Sequence, residues 1–173
     1  MPANIEIKAR LRNPTGARSI AKRLSGSEPK EILQEDTFFQ SASGRLKLRE
    51  FSESAGELIF YRREDVAGVK RSDYAIVPTE KPKELLNLLT DAIGVKGKVS
   101  KRRSLYLVGQ TRIHVDEVKG LGEFLELEVV LQDGQSPTEG HAIAKELMQK
   151  LEIVEADLID GSYADLQNRE HGA

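Results

Sequence analysis

The feature that most constrains this chain is a two-residue alternation whose polar positions are almost all charged. Ile5, Ile7, Ala9 and Leu11 alternate with Glu6, Lys8, Arg10 and Arg12. Leu46 and Leu48 alternate with Arg45, Lys47 and Arg49, and Ile59, Tyr61 and Arg63 alternate with Leu58, Phe60 and Arg62. Successive side chains of a strand point to opposite faces, so these segments read as strands. Further strands are expected over 99–108, 111–118 and 124–131, with a short one over 36–40, and Gly109-Gln110 is short enough for a hairpin connection. Three helices interrupt them. The first covers 15–24, between Pro14 and Gly26. The second covers 82–93, with Pro82 in its first turn, Gly94 just beyond and leucines at 85, 86, 88 and 89. The third is announced by Ser136, Pro137 and Glu139 in a capping-box pattern, followed by a stripe of Ile143, Ala144, Leu147, Met148 and Leu151. Many strands and few helices point to an antiparallel α+β fold.

An alternating strand often has its apolar face on a core and its charged face in water. Here the charges are sorted by sign. Glu126 and Glu128 share one face, as do Arg45, Lys47 and Arg49, and Lys101 and Arg103 share another. Residues two apart lie on one face roughly 7 Å apart, so like charges repel, and a face built for solubility alone would mix signs. Paired carboxylates suit a hard divalent cation, and converging Arg and Lys suit a polyphosphate. A curled sheet with these faces inward would bring both together, and its apolar exterior would need cover from helices or a partner chain. Periodicity and sign together leave the solvated face and the inward face equally open.

Bulk properties remove several alternatives. The 173 residues carry a net charge of only -2 despite 31% charged residues, so no global basic field draws in nucleic acid or an anionic membrane. Cysteine is absent, which removes disulfides and thiolate metal sites. The start, Met1-Pro-Ala-Asn-Ile-Glu6, lacks an apolar signal region, and no apolar run approaches the roughly 18 residues of a membrane span. A soluble, cytoplasmic protein is expected. The three histidines, at 114, 141 and 171, have no zinc-ligand spacing. His114 alternates with Arg112 and Asp116, and a structural or solvent role is its favoured reading over a tunnel-facing one. Gly120-Leu-Gly122 is not followed by the Lys-Ser/Thr of a phosphate loop and reads as a turn. Lys101-Arg-Arg103 has no accompanying aromatic RNA-binding pattern, and Arg102 is expected to face outward.

Asn4-Ile-Glu-Ile-Lys8 and Phe124-Leu-Glu-Leu-Glu128 resemble motifs of the CYTH superfamily, the triphosphate tunnel metalloenzymes. The family hallmark Glu-x-Glu-x-Lys reads here Asn4-x-Glu6-x-Lys8, with the first glutamate missing. Asp36-Thr-Phe-Phe39 resembles the family's Asp-x-Tyr-Phe element, and Gly44-Arg-Leu-Lys-Leu-Arg49 its first basic strand. The stretch from Lys101 to Gly109, then Ile113-His-Val-Asp116 and Gly120 to Glu128, is similar to the class IV adenylyl cyclase branch, as is Ser162-Tyr163-Ala-Asp165-Leu166. The resemblance implies one domain over 1–173, a closed antiparallel barrel of about eight strands with flanking helices, and a polar tunnel for triphosphate chemistry with Mg²⁺ or Mn²⁺. It implies metal binding by Glu6, Glu126 and Glu128, assisted by Asp116. It implies phosphate binding by Lys8, Lys47, Arg49, Arg63, Lys101, Arg103 and Arg112. Asn4 offers a neutral oxygen where the family has a charge, which weakens the case for a second metal. Tyr163 either closes one tunnel mouth or simply packs. The branch favours a homodimer.

Three activities follow as expectations. The first is a class IV adenylyl cyclase-like reaction, converting ATP to cyclic AMP and pyrophosphate. The second is hydrolysis of thiamine triphosphate, inorganic triphosphate or a nucleoside triphosphate, in which Lys8 helps activate water. The third is binding of a polyphosphate without turnover. No residue pattern reads adenine against thiamine.

Overall fold

A computed structural model describes residues 1–172. Eight strands form one closed antiparallel barrel: β1 (Ala3–Arg10), β2 (Lys30–Phe39), β3 (Arg45–Ser52), β4 (Ala55–Arg63), β5 (Lys70–Thr79), β6 (Val95–Val108), β7 (Thr111–Val118) and β8 (Gly122–Val130), in the order β1-β5-β4-β3-β2-β6-β7-β8. β1 closes the ring by pairing with β5 on one side and β8 on the other, so no strand is left with an unpaired edge. Four helices flank it: α1 (Pro14–Ser25), α2 (Pro82–Ile93), α3 (Pro137–Lys150) and α4 (Tyr163–His171). The α+β fold and closed barrel expected from the sequence are what forms. Among the described residues, no helix is long and apolar enough to cross a membrane.

The alternation decides which face is which. Ile5, Ile7, Ile113, Val115, Leu125, Leu127 and Val129 point outward and are fully buried, because α1 packs on β6 and β7 while α3 packs on β1 and β8. Burying each such side chain contributes roughly 1.5–3 kcal/mol. α1 starts where the Asn13 side chain accepts from the Gly16 amide and stops at Gly26, whose φ of 69° is left-handed. α3 has the expected capping box of Ser136 and Glu139. It approaches the barrel so closely that a Cβ at Gly140 would lie 2.6 Å from Ile5 and 2.7 Å from Leu131, so any larger residue there would push helix and strand apart.

The structure departs from the expected elements in four places. β2 begins at Lys30 rather than 36, and β6 at Val95 rather than 99. β5 and α4 were not expected at all. β5 mixes Ser72, Tyr74 and Ile76 on its inner face with Arg71, Asp73 and Val77 outside, so neither face is clearly apolar, and Pro78 argues against a paired strand. α4 buries only Tyr163, Ala164 and Leu166, all in its first turns, so it has no helical stripe. Its one local signal is the Ser162/Asp165 capping box.

Candidate functional site

The inner positions of the strands converge on a cavity of about 690 Å³. Glu6, Lys8, Lys47, Arg49, Arg63, Lys101, Arg103, Arg112, Glu126 and Glu128 all line it. Register explains their pairing. Lys8 stands opposite Glu126 and Glu6 opposite Glu128 across β1 and β8, while His114 and Arg112 on β7 stand opposite the same two glutamates. The Lys8 ammonium is 3.4 Å from Glu126 Oε1, and Arg112 Nε donates to Glu128 Oε2 at 3.0 Å. Arg63, arriving from β4, donates to Glu6 Oε1 at 2.6 Å.

A second set lies across the barrel on β2, β3 and β6. Asp36 accepts from Lys47 at 2.9 Å and from Arg49 Nε and Nη2 at 2.8 Å each, with Lys101 at 3.9 Å. This one buried carboxylate gathers three cations that would otherwise repel one another. Arg103 forks onto Asp116 with two bonds of 2.7 Å and reaches Glu126 at 3.0 Å. Asp116 stands behind the cavity wall, fully buried, with Lys101 at 3.7 Å and the Tyr163 hydroxyl donating to it at 2.9 Å.

One end of the barrel is closed. Tyr163, the first residue of α4, is inserted with Lys8 4.0 Å and Lys101 4.9 Å from its ring centre and the Phe124 ring packed against it at 5.0 Å, tilted by 57°. The Gly161 carbonyl accepts from Lys8 at 3.3 Å and from Arg63 at 2.8 Å, and Asp165 binds Arg45 at 2.9 Å. Tyr163 therefore fills this mouth rather than packing on the exterior. At the other end the cavity is lined by Ile32, Phe51, Tyr74, Ile76 and Leu105, with Asn4, Glu57 and Arg112 among them. Glu6 and Glu128 lie one inner position farther from the plug than Lys8 and Glu126. The cavity is thus a cup, with a cation-rich floor, carboxylates above it and a rim where apolar and aromatic side chains stand among Asn4, Glu57 and Arg112.

Electrostatics separates the glutamates. Burial raises the carboxyls of Glu126 and Glu128, but cations outweigh it: Lys8 and then Arg103 bring Glu126 well below the usual range, and His114 and Arg112 lower Glu128. Glu6 ends raised, because burial outweighs Arg63 and the other two glutamates repel its charge. Burial also lowers Lys8, and pulls Lys101 down to about 7. Asp116, despite burial, is held at about 2 by Arg103 and Lys101.

The donor set fits a divalent ion. Among the described residues, His114, Glu126 and Glu128 bring one ligand atom each within 4.8 Å of one another. The Asn4 side-chain oxygen and His114 Nδ1 are buried without a hydrogen-bond partner, and both residues line the cavity. Sequence reasoning left His114 and Asp36 out of the site. The signal for His114 was its parity with Arg112; for Asp36 it was parity with Gln34 and Phe38, which its pairing partner β3 makes meaningful only in three dimensions.

A model of the CYTH domain matches residues 2–163. The chain belongs to the CYTH family. This CYTH chain is 24% identical over 170 residues to a candidate adenylate cyclase of Methanocaldococcus jannaschii, covering 94% of this chain and 97% of that one. Its fold is similar to that of the PH1012 protein of Pyrococcus horikoshii, with a TM-score of 0.79 at 21% identity over 94% of this chain and 98% of that one. It is also similar to a candidate adenylyl cyclase of Hippeastrum described as having a dominant triphosphatase activity, with a TM-score of 0.64 at 17% identity over 99% and 96% of the chains.

Proposed function

We propose that this CYTH protein is a metal-dependent, class IV adenylyl cyclase-like enzyme that converts ATP to cyclic AMP and pyrophosphate. The observation that carries this reading is the layering of the cup. A triphosphate entering tail first places its terminal phosphates on the cationic floor around Lys47, Arg49, Lys101 and Arg103. Its α-phosphorus then lies nearer the carboxylate layer, and its nucleoside lies against Ile32, Phe51, Tyr74 and Ile76 at the rim. An inorganic triphosphate would have no use for that rim.

In the proposed reaction the ribose 3′-hydroxyl attacks the α-phosphorus and the bond to the bridging oxygen of pyrophosphate breaks. Glu126 and Glu128, with Glu6 beside them, would hold Mg²⁺ or Mn²⁺. Such an ion, when bound, lowers the pKa of a hydroxyl and neutralises phosphate charge. The floor arginines and lysines stabilise the charge that develops on the leaving pyrophosphate. Arg63 and Arg112 orient Glu6 and Glu128 and have further N–H groups for phosphate oxygens. Asp116 holds Arg103 in place. Position accounts for most of the catalysis, because phosphoryl transfer asks little covalent help of the protein. The same reading includes a homodimer, consistent with the 63% exposure of Leu88 on α2, and sedimentation checks it.

A second reading is a triphosphatase acting on thiamine triphosphate, inorganic triphosphate or a nucleoside triphosphate. It is favoured by Lys8, whose pKa is lowered by burial, so that in its neutral amine form beside Glu126 it could take a proton from the attacking water. One assay separates the two. Purified protein is given ATP, thiamine triphosphate or inorganic triphosphate with Mg²⁺ or Mn²⁺, and cyclic AMP, pyrophosphate and orthophosphate are quantified. Equal yields of cyclic AMP and pyrophosphate are expected. Orthophosphate without cyclic AMP would replace the first reading by the second.

A further inference from the structure

We propose that His114 Nδ1 is a metal ligand, forming with Glu126 and Glu128 a mixed nitrogen–oxygen site that prefers a transition ion such as Mn²⁺ to Mg²⁺. This rests on the metal-dependent reading above and moves the ion away from Glu6, toward β7 and β8.

Three observations carry it. First, His114 is only 4% exposed, and its Nδ1 is buried without any hydrogen-bond partner. A buried nitrogen left unpaired is costly, and a bound ion would satisfy it. Second, Nδ1 lies 3.8 Å from Glu126 Oε2 and 3.9 Å from Glu128 Oε1. These gaps are too wide for hydrogen bonds. They suit two ligands on one ion, since donors about 2.1 Å from a shared centre stand roughly 3–4 Å apart. Third, the competing cations leave one of the two facing carboxylate oxygens open, while the other, Glu126 Oε2, accepts from Arg103 at 3.0 Å and would share its lone pairs between Arg103 and the ion. Arg112 holds Glu128 through Oε2, so Oε1, the oxygen facing His114, carries no hydrogen bond. Glu6, by contrast, is tied to Arg63 at 2.6 Å. Asn4, whose side-chain oxygen is buried and unpaired, adds a neutral oxygen on β1 where a carboxylate would have drawn the ion toward Glu6.

The chemistry of the donors sets the preference. Mg²⁺ favours a nearly complete shell of oxygens and gives up water reluctantly. Imidazole nitrogen favours first-row transition ions. One histidine among two carboxylates therefore shifts selectivity toward Mn²⁺ without excluding Mg²⁺. The imidazole also explains how a site short of one glutamate retains three protein ligands.

The test is metal binding without any triphosphate present, so it does not depend on turnover. Mn²⁺ is titrated into the metal-free protein and followed by calorimetry and by pulsed electron paramagnetic resonance. The expected result is a bound Mn²⁺ with nitrogen modulation in its echo envelope, and Mn²⁺ affinity at least about tenfold above that for Mg²⁺. In His114→Gln, which keeps an oxygen donor at that position, the nitrogen modulation disappears. Mn²⁺ affinity falls by about tenfold or more, the scale expected when even a ligand's supporting partner is lost, while Mg²⁺ affinity changes less. Failure to bind Mn²⁺, or bound Mn²⁺ without nitrogen modulation, overturns the proposal; the second result needs no variant and is immune to misfolding. Binding with nitrogen modulation but no turnover of any triphosphate would leave the histidine ligand standing and remove the enzymatic reading instead.

Discussion

One side of the barrel is clamped by α1 and α3, and the other, barer side carries α2 on β2, β3 and β4, with β5 the barest strand. On β1, β7 and β8 the outward residues Ile5, Ile113 and Leu127 have no exposure at all, because α1 and α3 cover them. On β5 the outward Val77 is 62% exposed, and α2 covers Leu48 of β3 while leaving much of its own surface in solvent. The carboxylates and His114 stand on the clamped side, and Lys47, Arg49 and Arg63 come from strands of the bare side. Metal ligands must hold position to a fraction of an ångström, which a strand fixed on both faces can supply. Long arginine and lysine side chains tolerate a softer base, provided something gathers them, and Asp36 does so. The two sides therefore achieve order by different means, packing in one and ion pairing in the other.

The sharpest way to break the comparison is to remove one residue from each side. Glu126→Ala takes away a proposed metal ligand and leaves Lys8 and Arg103 without their shared carboxylate. Activity on the preferred triphosphate is expected to fall by about 10³-fold. Arg49→Ala removes one of several floor cations and is expected to cost about 10²-fold. A Glu126→Ala protein with full activity in the product assay would sink both enzymatic readings.

Stability should divide the same way. Leu127→Ala opens a hole beneath α3 and should cost about 2–5 kcal/mol in urea unfolding. Val77→Ala, on the bare face, should change stability by no more than about 0.5 kcal/mol. Equal losses would mean that something covers β5 in solution, and a second copy of the chain would be the first candidate.

How much of this was legible in the sequence follows the same division. The clamped strands have largely apolar outer faces, so β1, β7 and β8 could be read directly as strands, although periodicity left open which face turned inward and His114 on β7 was not expected in the cavity. β5 could not be read, because a wall without helical cover is under no pressure to be apolar outside. β2 was half legible for a related reason: Lys30, Ile32 and Gln34 face inward with no common character, and only Asp36 to Phe39 showed strand patterning. Within the site, sign sorting singled out Glu126, Glu128, Lys47, Arg49, Lys101 and Arg103, the family resemblance supplied Glu6, Lys8, Arg63 and Arg112, and neither could pair them. Arg63 with Glu6, and three cations on Asp36, depend on which strands meet across the barrel, and that is set by closure.

Lys101 offers a third probe, from the strand that joins the two sides. Burial, assisted by Arg103, brings its pKa to about 7 against the pull of Asp116 and Asp36. In the unfolded chain it titrates near 10.4. The folded value is the lower one, so between roughly 7 and 10.4 the unfolded chain binds more protons and this group's contribution to stability rises with pH. Triphosphate affinity runs the other way, since the floor loses a cation as pH climbs through about 7. From pH 7.5 to 8.5 affinity should fall by up to about tenfold, as a single proton linkage allows. Lys101→Arg, which stays charged, should flatten that profile in calorimetric titrations.

A more local effect is expected at the plug, which ties the two sides together. Tyr163 reaches the clamped side through its hydroxyl on Asp116 and its ring beneath Lys8, while Asp165, two residues on, holds Arg45 of β3. Tyr163→Phe removes only the hydroxyl. Asp116 keeps its two bonds from Arg103, so no carboxylate oxygen is stranded. The ring stays packed, tilted, against Phe124 and under the lysines. The loss should therefore be that of one hydrogen bond to a charged acceptor in which the acceptor remains satisfied, about 1 kcal/mol. It should appear in amide exchange as faster opening over 162–166, with β1 and β8 unchanged. If the whole barrel opens faster instead, the plug is holding the clamped and bare sides in register. If nothing changes, the ring contacts and the Asp165–Arg45 pair alone hold it in the mouth.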